Sequence, residues 1–402
     1  MNINEQTLQY ISAHASDDVA HLALHPSKDP QVDMAVALQQ IAGRQKAKEK
    51  MPEWYATEGI LYPKKVSMEQ CSSSQTAEYK ASLVEGESFA DFSGGFGVDT
   101  VALARKFRNG FYVEPQTELC KLFQHNCKVL GINNVHIING TMEEHLASIG
   151  SVDTLYLDPS RRDVHGRKVV ALEDCVPNLL EWKERLLEKC HTLMVKLSPM
   201  IDIFQTLRDL PETYAVHVVA VEGECKEVVF LLTRRDAPWH VSTTDPTIIA
   251  VDINKTAFFR VETTLENERT TPPCIATELG AYLYEPNTAV MKAGIFNVLS
   301  QQFQVQKLEK NTNLFTSNEL REDFPGRIFH IEAVHEFHPR KIAKELSHLA
   351  NASIAVRNFP LSAEELRKTL KIKNGNTRYL FGCTLWDGKK YVVMCSKMIF
   401  IY

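Results

Sequence analysis

The residues of this sequence best suited to chemistry are three carboxylates that close short apolar runs, the first of them beside a glycine-rich turn. In FADFSGGFGVDTVALA (residues 89–104) an apolar run ends at Asp91, the turn follows, and a helical stretch begins at Val98. Gly95 and Gly97 let the main chain approach a ligand with no Cβ in the way. A dinucleotide fingerprint requires a third glycine three residues past the second; Val98, Asp99 and Thr100 follow Gly97 instead, so that motif's tight pyrophosphate packing is not indicated. Asp91 suits a ligand that carries a cationic amine. Glu114 closes GFYVEP 17 residues after Gly97, near the ~20-residue offset of a ribose-binding acid, and its carboxylate can accept from both ribose hydroxyls. The third acid, Asp158 in LYLDPSRRD (residues 155–163), stands where a strand breaks at Asp-Pro, which places it at the carboxyl edge of a sheet, where open α/β folds bind ligands. There it can accept a hydrogen bond from a substrate amine or take its proton, with Arg161 and Arg162 placed for a phosphate or a carboxylate. A strand-end turn with a structural Asp-Arg pair is the competing reading.

Strand ends converge only if the strands run parallel, and the segment from Ser88 to Asp236 has the pattern for it. ESFADFSGG, GFYVEP, NVHIING, VDTLYLDPS and HTLMVKLSP are short apolar runs separated by helical stretches, which makes a parallel doubly wound sheet. Two further strands, Tyr214 to Gly223 and Lys226 to Arg235, are linked by Glu224 and Cys225 alone, a link too short for a parallel crossover and therefore a hairpin. Ahead of this segment, from Thr7 to about Lys50, apolar residues recur at helical spacing (Val32, Met34, Ala37, Leu38, Ile41) and predict a helical arm. Behind it come TIIAVDI, KTAFFRVE, the helical NTAVMKAGIFNVLSQQF and RIFHIEAVHEF, with Glu266 to Cys274 as the expected internal linker. The last segment carries a helix from Pro339 to Leu349, a strand SIAVRNF, a helix from Ser362 to Leu370 opened by the capping box Ser362–Glu365, and two strands around Asp387-Gly388. The expected domains are 1–70, 71–237, 238–324 and 325–402.

At 402 residues, 44% hydrophobic and 24% charged, the chain is globular and longer than one core usually serves. A net charge of −5 excludes a uniformly basic nucleic-acid coat, so any nucleic-acid contact is regional. The N-terminus has neither a basic region nor an apolar signal segment, and no run approaches ~18 apolar residues, so a soluble cytoplasmic protein is expected. Nine cysteines without a CxxC pair read as reduced, mostly buried thiols.

Together with SSSQTAEYKA (residues 72–81), VKLSP and VEGECKE, the motifs DFSGGFGVDT, VEP and LDPSRR resemble the class I S-adenosylmethionine-dependent methyltransferases, whose sheet also ends in an antiparallel hairpin. LYEPNTAVMKAG (residues 283–294), FPGRIF and RNFPLSAEELRKTLKIKNGN narrow the resemblance to the bacterial group with a small ferredoxin-like insert and a THUMP-like C-terminal domain. The resemblance implies a Rossmann-like domain that binds S-adenosyl-L-methionine through Asp91, Ser93, Gly95, Gly97, Asp99, Glu114, Thr141 and Asp158, catalysis involving Asp158 and Arg161, and an RNA substrate by analogy. Ser93 replaces the first glycine of the common DxGxGxG pattern. Thr141 stands where an aspartate often meets the adenine amine, which leaves that contact to a backbone group or to Glu143. Ser160 and Arg161 replace the second proline and the aromatic residue of the amino-methylating DPPY signature, and KLSPM at the end of the fifth strand offers no cysteine for covalent pyrimidine methylation, so direct transfer is expected. The rival is a non-catalytic RNA-binding protein on the same scaffold, against which the three strand-end acids argue.

Weaker candidates complete the reading. His335 and His338 make half of a metal site at most, and no metal is expected. Trp54, Tyr55 and Tyr62 either stack a base or cover the central domain. Arg357, Lys368, Lys371, Lys373 and Arg378 form a basic cluster that is either an RNA contact or a solvated face.

Overall fold

A computed structural model describes residues 3–160, 172–234, 244–255, 257–376 and 378–398, which form two compact units, Met1–Ala215 with Glu227–Thr244 and Val216–Lys226 with Asp245–Tyr402. The first opens with helices α1 (Glu5–Ala13), α2 (Val19–Leu24), α3 (Met34–Lys50), α4 (Pro52–Ala56), α5 (Lys65–Gln70) and α6 (Ser74–Ser82). Asn4, Asp18, Asp33 and Ser73 each accept from a main-chain N–H three residues on and so cap α1, α2, α3 and α6. The arm has a small core of its own around Ile11, Leu22, Ala37 and Ile41. Beyond it, Trp54, Tyr62, Met68 and Ala77 share one core with Phe96, Tyr112 and Phe123. The Asn126 side chain reinforces this join by pairing with both N–H and C=O of Leu61, each at 2.9 Å.

Strand and helix then alternate through β1 (Ser88–Asp91), α7 (Val98–Ala104), β2 (Asn109–Glu114), α8 (Thr117–Leu130), β3 (Val135–Asn139), α9 (Met142–His145), β4 (Val152–Leu157), α10 (Leu179–Leu187), β5 (Cys190–Leu197), α11 (Ile203–Asp209), β6 (Thr213–Val221) and β7 (Glu224–Leu232). β1 pairs in parallel with β2 and β4, β2 with β3, and β4 with β5, whereas β7 lies antiparallel against β5. The carboxyl ends of β1, β2 and β4 therefore share one edge, with Asp91, Glu114 and Asp158 upon it. Near-continuous apolar runs in β4 to β7 reflect burial on both faces. The hairpin turn falls on Glu222 and Gly223, with φ of 51° and 74°, rather than on Glu224 and Cys225. Two-residue turns that follow the sheet's twist place one or both central residues at positive φ, a demand that glycine meets without strain.

The second unit adds β8 (Thr247–Ile253), β9 (Phe258–Thr264), α12 (Leu265–Thr270), β10 (Tyr282–Pro286), α13 (Thr288–Ala293), α14 (Phe296–Gln302), β11 (Gln306–Glu309), β12 (Thr312–Ser317), β13 (Gly326–Glu336), α15 (Pro339–Glu345), β14 (Ser353–Arg357), α16 (Ala363–Leu370), β15 (Tyr379–Thr384) and β16 (Lys390–Lys397). The first sheet has the strand order β3-β2-β1-β4-β5-β7-β6-β8-β9, and a second sheet has the order β11-β12-β10-β13-β16-β15-β14. The division between units falls within the β6–β7 hairpin, whose tip belongs to the second unit: Gly223 N–H donates to Asp252 and Thr288 Oγ1 to Gly223 C=O, at 3.1 and 2.8 Å.

The structure departs from the sequence pattern at two places. Residues 266–270 of the expected linker are helical, because buried Glu268 accepts from the N–H groups of Phe296, Asn297 and Val298 at 2.8–3.0 Å and so caps α14. The single helix expected over residues 287–303 is two, broken at Gly294 in the left-handed conformation. The capping box at Ser362–Glu365 is present.

Candidate active site

Asp91 is buried at the end of β1 and staples the turn that follows it. Its Oδ1 accepts from Ser93 N–H and Oγ at 2.9 and 3.1 Å, and its Oδ2 accepts from Thr100 Oγ1 at 2.5 Å. Burial raises its carboxyl to about 7 against the pull of these hydrogen bonds. The Ser93 hydroxyl also accepts from Asp158 N–H at 2.8 Å, so the residue that replaces the first glycine of the common pattern ties the turn to the end of β4.

Each glycine of the turn answers a different demand. A Cβ on Gly94 would lie 2.4 Å from Tyr112, and one on Gly97, with φ of 87°, would lie 2.2 Å from the Phe123 ring. Gly95 has φ of 53°, and the nearest atom to a Cβ there is Ser93 C=O at 3.5 Å. The turn is thus close-packed beneath and open at Gly95. Phe96 anchors it from inside, 4.8 Å from Trp54 and 6.3 Å from Tyr62 between ring centres. Trp54 and Tyr62 are accordingly buried cover; Tyr55 is half-buried beneath Arg44.

Glu114 accepts from Gly95 N–H and Gln116 N–H, each at 2.9 Å, and each oxygen keeps a second lone pair. Thr141 caps α9 in a capping box with Glu144, which commits its hydroxyl, while Glu143 in the same turn is exposed. Arg161 and Arg162 lie outside the described residues.

Behind Asp158 is a charged cluster that sequence reasoning did not assemble. Asp158 forms an ion pair with Lys196. Lys80 pairs with Glu227 at 2.5 Å and Asp99 at 3.2 Å and donates to Ser72 Oγ at 3.0 Å. Asp99 also accepts from Ser72 Oγ at 2.7 Å and Tyr156 OH at 3.1 Å. Burial opposes the charge on Lys196, but Asp158, Glu227 and Asp99 outweigh it and raise its affinity for the proton above the ordinary range. Burial likewise acts against Asp99, where Lys80 and Lys196 prevail and hold it low; at Glu227 burial prevails over both lysines and raises it. Asp99, expected among the cofactor-binding residues, is thereby engaged with α6 and β4. Lys80, Lys196 and Glu227 lie in SSSQTAEYKA, VKLSP and VEGECKE, and of the three only Lys196 carried a signal, a charge inside the apolar run TLMVKL.

Of the basic cluster, Arg357 pairs with Glu285 at 2.7 Å and Arg378 with Glu332 at 2.8 Å, whereas Lys371 and Lys373 are exposed. His335 faces Glu345 and His338 faces Glu336. Among the described residues no group of three or more His, Cys, Asp or Glu side chains could hold a metal ion, and no helix is long and apolar enough to cross a membrane.

Comparison with known proteins bears on the fold and the family. Residues 282–325 match a family model for a ferredoxin-like domain and residues 326–397 one for a THUMP domain-like region. A crystal structure from Porphyromonas gingivalis W83, described as that of a candidate methyltransferase, is 31% identical with a TM-score of 0.87, over 99% of this chain and 100% of that one. An rRNA methylase from Streptococcus thermophilus (15% identity, TM-score 0.31, 40% of this chain and 94% of that one) and a SAM-dependent O-methyltransferase from Thermotoga maritima (18%, 0.31, 42% and 69%) are far more distant, too distant to bear on activity. No curated protein sequence matches the chain. Sheet order, strand-end acids and glycine turn define a class I, Rossmann-like methyltransferase fold. More particularly, the chain belongs to the bacterial family that joins this fold to ferredoxin-like and THUMP-like C-terminal domains.

Proposed function

We propose that the protein is an S-adenosylmethionine-dependent methyltransferase that acts on RNA by direct methyl transfer. The observation that carries this reading is the edge formed by Asp91, Glu114 and Asp158, with a glycine turn, close-packed beneath and open at Gly95, between the first two and the Ser93 hydroxyl joining the turn to the third. Space over Gly95 that a Cβ would fill, and the unused lone pairs of Glu114, fit a nucleoside with ribose hydroxyls. Bound there, adenosylmethionine supplies a methyl group already activated by its sulfonium. The chain's own part is proximity and orientation. Gly95 and Gly97 bring the main chain close, Glu114 accepts from the ribose, Thr141 or Glu143 borders the adenine, and Asp158 accepts a hydrogen bond from the methyl-accepting group; the anion-binding role expected of Arg161 rests on the sequence alone.

Direct transfer is supported by Cys71, whose thiol, half-buried near Lys50, Asp99 and Lys196, is pushed up by burial and is a poor nucleophile when protonated. RNA is favoured by the THUMP-like match and by the exposed Lys371 and Lys373. Nine free thiols suit a reducing cytoplasm. The test is incubation of the whole protein with methyl-labelled adenosylmethionine and unmodified tRNA and rRNA transcripts. Label is expected in RNA with the wild type and is lost with Asp158→Asn, which still binds the cofactor; RNA binding without any transfer would favour the non-catalytic scaffold.

A further inference from the structure

The five charged groups behind the methyl-transfer edge carry an uneven load. Lys80 and Lys196 are two cations shared among three carboxylates, Asp99, Asp158 and Glu227. Side-chain exposure is 3% for Glu227, 15% for Asp99 and 35% for Asp158, so the carboxylate that presents the cluster to a ligand is Asp158. The fold fixes its partner. In the parallel β4–β5 register Leu157 lies opposite Val195, which brings Lys196 level with Asp158. On the other side Lys196 lies opposite Val229 of β7, two residues from Glu227. Lys196 has 13% of its side chain exposed and so has little room to swing away.

We propose that Lys196 is a positioning residue: it holds the Asp158 carboxylate at the sheet edge with its free lone pairs directed at a hydrogen-bearing nitrogen or oxygen of the methyl acceptor. The inference rests on the methyltransferase reading. A fixed ammonium satisfies one oxygen, Oδ2, and restricts rotation about the Asp158 side-chain bonds, so the remaining acceptor sites are oriented before the substrate arrives. The Asp99–Lys80–Glu227 group anchors Lys196 in turn, through charge rather than contact with substrate. Arginine can make the same pair with a carboxylate, and methionine keeps the bulk without the charge.

Two measurements on the full chain decide the matter. In the labelled-methyl assay with tRNA and rRNA transcripts, Lys196→Met is expected to lower kcat at least about tenfold while KM for RNA and Kd for adenosylhomocysteine stay within about twofold, and Lys196→Arg to recover most of the loss. A purely structural lysine would instead move the melting temperature and all three constants together; that result, or an unchanged kcat, overturns the proposal. The second measurement needs no substrate. Trace acetylation of the folded protein, read by mass spectrometry, is expected to find Lys196 protected in the wild type and to lose that protection in Asp158→Asn. Equal labelling in the two proteins overturns the pairing. If the wild type transfers no methyl group, the RNA methyltransferase reading fails by itself, and the acetylation result still decides whether Lys196 is held by Asp158.

Discussion

Gly95 and Gly97 stand two residues apart in one turn, both at positive φ, yet alanine should fail differently at each. At Gly97 the left-handed backbone costs a side chain about 1–2 kcal/mol. The new Cβ would also fall 2.2 Å from the ring of Phe123, which is fully buried and stacked on Tyr112 at 4.0 Å and so has no free direction to move. Overpacking of this kind costs about 1–3 kcal/mol more. Gly97→Ala should therefore destabilise by about 2–5 kcal/mol, a fall in Tm on the order of 5–15 °C for a unit of this size. Gly95→Ala carries the same backbone cost without the clash, its nearest neighbour being 3.5 Å away. It should lose about 1–2 kcal/mol of stability, but its methyl group enters the space through which a ligand reaches the main chain. Affinity for adenosylhomocysteine should then fall at least about tenfold, or 1.4 kcal/mol. Scanning calorimetry and isothermal titration of both variants separate the two effects. Wild-type affinity in Gly95→Ala, or a Gly97→Ala protein that melts within about 2 °C of the wild type, would contradict these roles for the two glycines.

Other consequences can be measured in the same preparations. Burial raises the Asp91 carboxyl from its ordinary 3.8 to about 7, so its contribution to stability is full below the lower value and is lost as pH rises through the upper one. Asp91→Asn should flatten the fall of unfolding free energy between these values; an unchanged slope would assign the titration elsewhere. In the C-terminal domain Lys371→Glu with Lys373→Glu should weaken RNA binding and reduce the salt slope by about 0.7–0.9 per lost contact, and identical curves would remove these lysines from the interface.

The frame of the site was legible because it depends on local pattern. Apolar runs ending in Asp91, Glu114 and Asp158, with helical spacing between them, leave a parallel sheet as the arrangement that puts all three on one edge. The hairpin was legible too, although its turn was placed two residues late, since Glu224 and Cys225 look no less polar than the Glu222-Gly223 pair whose positive φ values make the turn. What the sequence concealed depends on distance in the chain. Lys80 meets Glu227 147 residues away, and Lys196 meets Asp158 38 residues away, pairs that no periodicity reports. Glu268 looked like part of a polar linker because the main-chain N–H groups it caps lie 28–30 residues further on. In the basic cluster the sequence counted charges but could not see that Glu285 and Glu332 engage Arg357 and Arg378.

Whether the glycine turn and Glu114 form an adenosylmethionine site is decided by calorimetric titration of the whole protein with adenosylmethionine, its demethylated product and NAD, repeated with Glu114→Ala. Selective binding of the first two, lost in the variant, is the expected result. Preference for NAD, or full binding by Glu114→Ala, would contradict it.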